Sequence, residues 1–526
     1  MTKETALLAT ARSFALLGQA VRGLFVFGSV LVGCSALTAS AASYYVDSVA
    51  GSDSNAGTSS SAPWQSLSKV NSKTFVAGDR VYFKAGGNWT GQLLLHGSGA
   101  SGNPIVVGMY GSGAKPKFNA NGTKSNTVFF KNQPYWELND LDVSNTGSGY
   151  ADRRGISINV DNGSTVNHVY IKNCSVHDVT GEVRWIGGDT ADNTTGVYFQ
   201  SGWIASKRTG GIVFDAQNSG RFNDVLIDGC TVNKCSFAAI SVKGVRERAS
   251  ASDSNWNPHT NVTIQNCSIN QSGSSLACNG IYLTDTKTGV IQNNVVANAG
   301  TCGIELYYCD AVTVQKNETY GTVKKAGGAD YNGIDPDKGT TNIVVQYNYS
   351  HGNGDGILIC NFAGYDSAAV RYNILQNNSR YGLYLHSSSG GNTQIYNNVV
   401  YASGSSAKVC YGYGSSLSAT YNIRNNIFYS SVSTASPTTS STISYDYNAY
   451  YGMTAVSADA HKITANPLLV SAGSGGTGIN TVNGYKLQSG SPCINYGASI
   501  SSNGGKDYWG DGLYNGSADV GADEFY

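Results

Sequence analysis

Acidic side chains and tyrosines recur at equivalent positions of a short phrase in the middle of the chain. The phrase is a small residue followed by apolar, variable, apolar and variable positions. Examples are NGIYLTD from Asn279, CGIELYY from Cys302, NGIDPDK from Asn332 and DGILICN from Asp355. Alternation with period two is typical of a strand with one face in the core and the other in solvent. The variable positions, which include Glu305, Asp335 and Asp337, are therefore expected to face outward.

Outward positions of successive strands form columns if the strands stack in register, ~4.8 Å apart. The first predicted column reads Ser157, Val213, Ser241, Tyr282, Glu305, Asp335, Leu358 and Tyr384, and the second reads Asn159, Asp215, Lys243, Thr284, Tyr307, Asp337, Cys360 and His386. Crowded carboxylates raise one another's pKa or recruit a cation. Since only 13% of the residues are charged, this concentration of acids predicts a functional site.

The columns suggest a role for each side chain. The predicted catalytic residues are Asp335, Asp337, Glu305, Lys243 and His386. Sugar rings pack their C–H faces on flat apolar surfaces, so the predicted substrate-binding residues are Tyr282, Tyr307 and Tyr384. Asp335, Asp337 and Asp355 are the expected ligands if the acids bind Ca²⁺.

A purely structural interpretation stands beside these roles. Asp335 and Asp337 flank Pro336 and precede Gly339, so this segment also reads as a strand that ends in a turn with turn-type aspartates. Asp355 can serve a turn in the same way. A single outward lysine or histidine, such as Lys243 or His386, is commonly just solvated.

A second repeated phrase indicates what positions these residues. Copies such as HVYIKNCSV from His168, NVTIQNCSI from Asn261 and NTQIYNNVV from Asn392 end a strand in Cys or Asn, and from Cys267 onward the spacing is 23–31 residues. A period of this size is typical of a solenoid, and the spacing of leucine-rich repeats is absent. With two strands per coil and an internal Asn column that forms an amide ladder, the prediction is an all-β, right-handed, single-stranded parallel β-helix with an N-terminal cap and a C-terminal strand and loop extension.

Four segments are predicted along the chain. Residues 1–41 are a signal peptide, 42–116 an N-terminal cap with the first strands, 117–451 the β-helix coils, and 452–526 the C-terminal coils and capping segment. An open solenoid end exposes strand edges, so caps are required. Two long insertions, residues 183–208 and 244–259, are expected on the binding face.

The first segment indicates export from the cytoplasm. Arg22 precedes the apolar run GLFVFGSVLV, and Ala39-Ser40-Ala41 offers a cleavage site, which predicts a secreted or periplasmic protein. The run is too short for a permanent transmembrane helix. The sequence LVGC ending at Cys34 leaves open a lipoprotein anchored at that residue.

The cysteine positions bear on disulfide formation, and the net charge bears on the kind of molecule that the protein binds. Cys174, Cys230 and Cys267 occupy the ladder column and are expected to pack as small buried residues, whereas Cys302 with Cys309, or Cys230 with Cys235, are near enough in sequence to pair. A formal net charge of zero argues against a nucleic-acid binder, which needs a basic face. A capped solenoid is expected to be a monomer.

Three stretches resemble bacterial secreted β-helix proteins of the pectate-lyase-like superfamily. They are GDRVYFKAGGNWTGQLLL with GNPIVVGMYGSGAKP, the central NGIDPDKGTTNIVVQYNYSHGNGDGILIC, and SGSPCINYG with ADVGADEFY. The resemblance implies the fold and a polysaccharide substrate, but leaves the reaction open.

Three functions are compatible with these observations. The leading prediction is a polysaccharide lyase that cleaves a uronate-containing glycan by β-elimination, with Ca²⁺ held by the acids neutralising the sugar carboxylate. Lys243, His386 or a tyrosine is the expected base for the C5 proton. The first alternative is a glycoside hydrolase that uses the same carboxylates as acid and base. The second alternative is a non-catalytic glycan-binding or adhesion solenoid.

Overall fold

Three long parallel sheets form the body of the protein. The computed structural model describes residues 40–186, 195–200, 205–244, 247–414, 417–432 and 436–526. Along the chain, each full coil adds one strand to sheet I, one to sheet II and one to sheet III, and the three sheets contain 14, 13 and 11 strands. The predicted all-β right-handed parallel β-helix is confirmed.

Sheet I consists of β1 (Ser43–Val46), β3 (Arg80–Lys84), β7 (Ile105–Tyr110), β10 (Trp136–Asn139), β13 (Thr165–Lys172), β18 (Arg221–Asp228), β21 (His259–Gln265), β24 (Thr286–Gln292), β27 (Asp310–Gln315), β30 (Ile343–Gln346), β33 (Asp366–Arg371), β36 (Gly391–Tyr396), β39 (Thr420–Arg424) and β41 (Ile443–Asp446).

Sheet II consists of β4 (Asn88–Thr90), β8 (Lys117–Asn119), β11 (Asp142–Asn145), β14 (Ser175–Val179), β19 (Thr231–Cys235), β22 (Ser268–Asn270), β25 (Val295–Ala297), β28 (Glu318–Tyr320), β31 (Tyr349–His351), β34 (Ile374–Gln376), β37 (Val399–Ala402), β40 (Ile427–Ser430) and β42 (Ala449–Tyr451).

Sheet III consists of β5 (Leu93–Leu94), β9 (Asn126–Lys131), β12 (Arg154–Val160), β17 (Gly210–Ala216), β20 (Phe237–Lys243), β23 (Cys278–Thr284), β26 (Cys302–Tyr307), β29 (Asn332–Pro336), β32 (Asp355–Asn361), β35 (Tyr381–Ser387) and β38 (Lys408–Gly412). Outside these sheets, β2 (Thr74–Phe75) pairs with β6 (His96–Gly97), β15 (Val183–Ile186) pairs with β16 (Val197–Gln200), α1 spans Leu67–Asn71, and a 3₁₀ helix spans Asn483–Tyr485.

The coil has three strands, so the expected two strands per coil was wrong. The phrase that ends in Asn or Cys holds two of them, because its last residues form a short strand of sheet II. In the copy at His168, β13 ends at Lys172 and β14 begins at Ser175. Asn173 makes the corner between them with a φ of 53°, a left-handed conformation that asparagine tolerates well.

The predicted asparagine ladder runs through the core beside this corner. In each rung, the backbone N–H and the side-chain Nδ2 of one Asn both donate to the Oδ1 of the Asn in the next coil, at 2.9–3.0 Å. The ladder comprises Asn294, Asn317, Asn348, Asn373, Asn398, Asn426 and Asn448. It ends on Asp459, whose Oδ2 accepts from the backbone N–H and the Nδ2 of Asn448.

The two ends of the solenoid are covered. The N-terminal segment contributes β1, β3 and β7 to sheet I, and α1 begins after Ser66, whose hydroxyl accepts from the backbone N–H of Lys69 at 3.2 Å. Residues 452–526 fold back over the C-terminal coils. Their buried side chains, among them Val482, Tyr485 and Val520, pack on outward tyrosines of the coils.

The cysteines of the described chain do not form the pairs that their spacing in the sequence allows. The ten cysteines of the described chain are buried and free, so the expected pairs Cys302–Cys309 and Cys230–Cys235 are not formed. Residues 1–39, with the predicted signal peptide and Cys34, lie outside the described residues. No helix in the described part is both long and apolar enough to cross a bilayer.

Candidate active site

The acids predicted from the sequence lie side by side on the outer face of sheet III. In the strand register, Tyr282 of β23 is opposite Glu305 of β26, and Glu305 is opposite Asp335 of β29. Asp337 directly follows β29. The coils therefore bring together carboxylates that are about 30 residues apart in the chain.

Asp335 occupies the centre of the cluster and is only 2% exposed. Its Oδ2 accepts from Asn332 Nδ2 at 3.2 Å and from Cys302 Sγ at 3.6 Å. Burial, followed by the charges of neighbouring acids, raises the pKa of Asp335 well above its ordinary value. Burial therefore disfavours the charged form of Asp335.

Two half-buried acids, Asp330 and Asp337, flank Asp335. One carboxylate oxygen of each lies within 4.8 Å of an oxygen of Asp335. Burial and then the charge of Glu305 raise the pKa of Asp330 to about 6 and that of Asp337 to about 7. These two groups change protonation near neutral pH and still reach solvent, so they can exchange protons with a bound molecule.

Asp330 was missed by the sequence analysis. It lies in the turn before β29, two residues ahead of the repeated phrase, where no periodicity marks it. The signal that could have revealed it is its position two residues before a strand that contains one further aspartate and is followed by another.

Glu305 is held by an amide and by a lysine from the first insertion. Asn279 Nδ2 donates to its Oε2 at 2.5 Å, and Lys207 Nζ lies 3.7 Å from its Oε1. Lys207 Nζ also donates to the Tyr282 hydroxyl at 3.0 Å and lies 5.4 Å from the centroid of the Tyr307 ring. Lys207 is therefore the cation of the cluster that the sequence columns did not include.

Three other predicted site residues lie apart from these acids. Asp355 is one strand away and is paired with Arg380, whose Nε donates to Oδ1 at 2.8 Å and whose Nη2 contacts Oδ2. Lys243 is fully buried, 3.7 Å from Asp215 Oδ1, and burial lowers its pKa to about 8. His386 lies on β35, where burial lowers its pKa. The structure does not support Lys243 or His386 as catalytic bases acting with the acid cluster.

The predicted sugar-stacking tyrosines are mostly covered. Tyr282 is 0% exposed beneath Lys207, and Tyr384 is 7% exposed. Tyr307 is half-buried beside the cluster. Tyr282 is thus corrected from a stacking surface to a support for Lys207, because its ring has no accessible face.

The donor atoms around Asp335 do not fit Ca²⁺. The two groups that could hold an ion are Cys302 with Asp330 and Asp335, and Cys360 with Asp335 and Asp337. Ca²⁺ takes six to eight oxygen ligands, whereas each of these groups includes a thiol, and both oxygens of the expected ligand Asp355 are paired with Arg380.

Comparison with known proteins agrees with the geometry. A family model described as a right handed beta helix region matches residues 155–400. Lacto-N-biosidase from Bifidobacterium longum subsp. longum is 27% identical over 573 aligned positions, covering 88% of this chain and 35% of the relative. The chain thus spans about a third of that relative's length.

A solved structure resembles the same coils. The crystal structure of the GH136 lacto-N-biosidase from Eubacterium ramulus aligns with a TM-score of 0.53 and 19% identity, over 81% of this chain and 67% of that chain. This likeness shows the fold. Together with the family model, it confirms the right-handed β-helix fold that the sequence resemblance implies.

Proposed function

We propose that this protein is an exported glycoside hydrolase that cleaves a neutral glycan, with Asp330 and Asp337 as its pair of acting carboxyl groups. The observation that carries the proposal is the presence of two solvent-reaching acids with raised pKa, each with a carboxylate oxygen within 4.8 Å of the buried Asp335. The lacto-N-biosidase relative supports release of lacto-N-biose from an oligosaccharide.

Each carboxyl group has a role in this reaction. Asp337, with the higher pKa, is the general acid that gives its proton to the glycosidic oxygen as the bond from that oxygen to the anomeric carbon breaks. Asp330, with the lower pKa, is the carboxylate that either attacks the anomeric carbon or takes a proton from the attacking water. Asp335 is close to both acids, and its burial disfavours a third negative charge there.

Hydrolysis is favoured over the elimination reaction that the sequence analysis places first. Elimination requires neutralisation of a uronate and a base for the C5 proton. Several acids line the site and repel a sugar carboxylate, while the expected bases Lys243 and His386 lie on other strands. A lyase remains the alternative that the product assay distinguishes.

The test is replacement of each acting carboxyl group. Asp337→Asn and Asp330→Asn are each expected to lower kcat on a lacto-N-bioside on the order of 10²–10⁴-fold, because proton transfer or nucleophilic attack is lost. Product is measured as reducing sugar and as the ultraviolet absorbance of an unsaturated sugar. Asp161→Asn, which removes an exposed ion pair with Lys131, is the matched control and should retain activity.

Two results would overturn the proposal. Full activity of Asp337→Asn would show that the site is misplaced. An unsaturated product from a uronate glycan would show that the protein is a lyase.

A further inference from the structure

An aromatic surface continues sheet III beyond the acids, toward the C-terminal end of the solenoid. We propose that this surface binds the part of a neutral glycan chain that extends past the cleaved bond. The inference deepens the proposed function, on which it rests for the location of that bond. The surface, termed here the tyrosine platform, consists of Phe362, Tyr381, His386, Tyr411 and Tyr413, which pack around the covered ring of Tyr384.

The strand register aligns the platform with the acid column. Tyr384 of β35 is opposite Leu358 of β32 and Tyr411 of β38. Asp335 precedes Leu358 in the same column, because Ile334 is opposite Ile357. From β29 to β38 there are three strand spacings, about 14 Å, so the platform begins at the edge of the acid cluster and leads away from it.

The rings of the platform pack against one another. Tyr381 stacks on Tyr411 with 4.3 Å between centroids, and His386 lies 4.4 Å from Tyr413 and 4.7 Å from Phe362. Tyr413 is 54% exposed, whereas its neighbours are buried or half-buried. Ordered rings lose little conformational entropy when a flat apolar molecule packs against them.

The charges beside the rings point to a neutral occupant. Arg380 lies 4.8 Å from the Tyr381 ring centroid, but its charge is balanced by the ion pair with Asp355. Lys408 Nζ lies 4.3 Å from the Tyr411 ring centroid. Lys408 lies against an aromatic ring, and the only other cation beside the platform among the described residues, Arg380, is balanced. Aromatic faces bordered by hydroxyl groups suit the C–H faces and hydroxyls of hexoses and N-acetylhexosamines.

Binding to a catalytically disabled protein tests the platform separately from activity. The host is the full chain with Asp337→Asn, and the probes are lacto-N-tetraose, lactose and an oligogalacturonate, titrated by calorimetry. Lacto-N-tetraose should bind, and adding Tyr413→Ala should weaken its Kd by roughly three- to tenfold. Tyr413→Phe keeps the ring and should bind within about twofold of the host. Tyr496→Ala, at a residue that is 42% exposed elsewhere, is the control for loss of an exposed tyrosine.

The outcomes separate this inference from the proposed function. Unchanged affinity after Tyr413→Ala, or tighter binding of the oligogalacturonate than of lacto-N-tetraose, would overturn the platform even if hydrolysis is observed. Weaker binding after Tyr413→Ala in a protein without hydrolase activity would support the platform and refute the enzyme. Failure of the host to bind any neutral probe would also overturn the platform.

Discussion

At the residue scale, two titrating acids lie beside a buried one. Burial raises the pKa of Asp335 well above its ordinary value, while Asp330 and Asp337 reach solvent with pKa values of about 6 and about 7. A hydrolase needs one carboxyl group protonated and another ionised in the same site. Between pH 6 and 7, Asp337 is mostly protonated and Asp330 is mostly ionised, so the pair has the required charge state in that range.

The pH dependence of kcat/KM should follow these two groups. Activity is expected to fall above about pH 7 as Asp337 loses its proton and below about pH 6 as Asp330 gains one. Glu305→Gln removes a negative charge that raises the pKa of Asp337, so the alkaline limb should move to lower pH. The measurement is the pH–rate profile on a lacto-N-bioside.

A remote acid provides the comparison for this shift. Asp310→Asn changes a carboxylate on sheet I that accepts hydrogen bonds from Thr341 and Asn342, and it should leave the profile in place. An alkaline limb that stays fixed in Glu305→Gln would show that Glu305 does not act on the titrating acid.

At the scale of the element, the asparagine ladder and the columns of outward side chains depend on the same strand register. An asparagine that bonds to its equivalent in the next coil fixes the register of the preceding strand, and a register slip by one residue would turn Glu305 and Asp335 inward. The strands that carry the two predicted columns are aligned in the structure as far as the strand of Asp335, which Asp337 follows. The same periodicity hid the third strand, because strands such as Ser268–Asn270 have only three residues and lie within the repeated phrase.

Removing one rung should destabilise the coils measurably. Asn373→Ala leaves the backbone N–H and Nδ2 of Asn348 without their acceptor and removes one of the two donors to Asn398 Oδ1, the other being the backbone N–H of residue 373. Buried groups left unpaired cost about 1–3 kcal/mol each, so the loss should be on the order of 2–4 kcal/mol after relaxation. Chemical denaturation measures this loss, and Asn392→Ala, at an exposed residue, should change stability by less than about 0.5 kcal/mol. Equal stability of the two variants would mean that the ladder contributes nothing to folding.

At the scale of the whole molecule, the sequence periodicity predicts the β-helix coils, whereas irregular segments supply some residues of the candidate active site. Lys207 and Asp330 escaped the sequence analysis because one lies in an insertion and the other in a turn, where spacing carries no information. Lys243 and His386 were assigned from the same columns as the acids. They differ in burial and neighbours, which depend on packing that a column does not describe.

The C-terminal segment should detach before the coils unfold. Val482 is 0% exposed in the apolar cluster that joins residues 452–526 to the coils, so Val482→Asp buries a charge without a partner. Limited proteolysis is expected to cut first within this segment, while the far-ultraviolet β-sheet signal persists. The same substitution at Val470, which is 54% exposed, should resemble the unaltered protein. Cleavage in both variants at the same rate would contradict this order of unfolding.

The last position of the asparagine ladder is occupied by Asp459 and not by an asparagine. The ladder therefore has a direction and a defined end. Every amide before it donates forward and accepts from behind, but a carboxylate only accepts. A further coil docked against Asp459 would find no N–H there to continue the series. Because Asp459 is itself buried, the series of hydrogen bonds stops inside the protein and not at an edge that a second solenoid could extend.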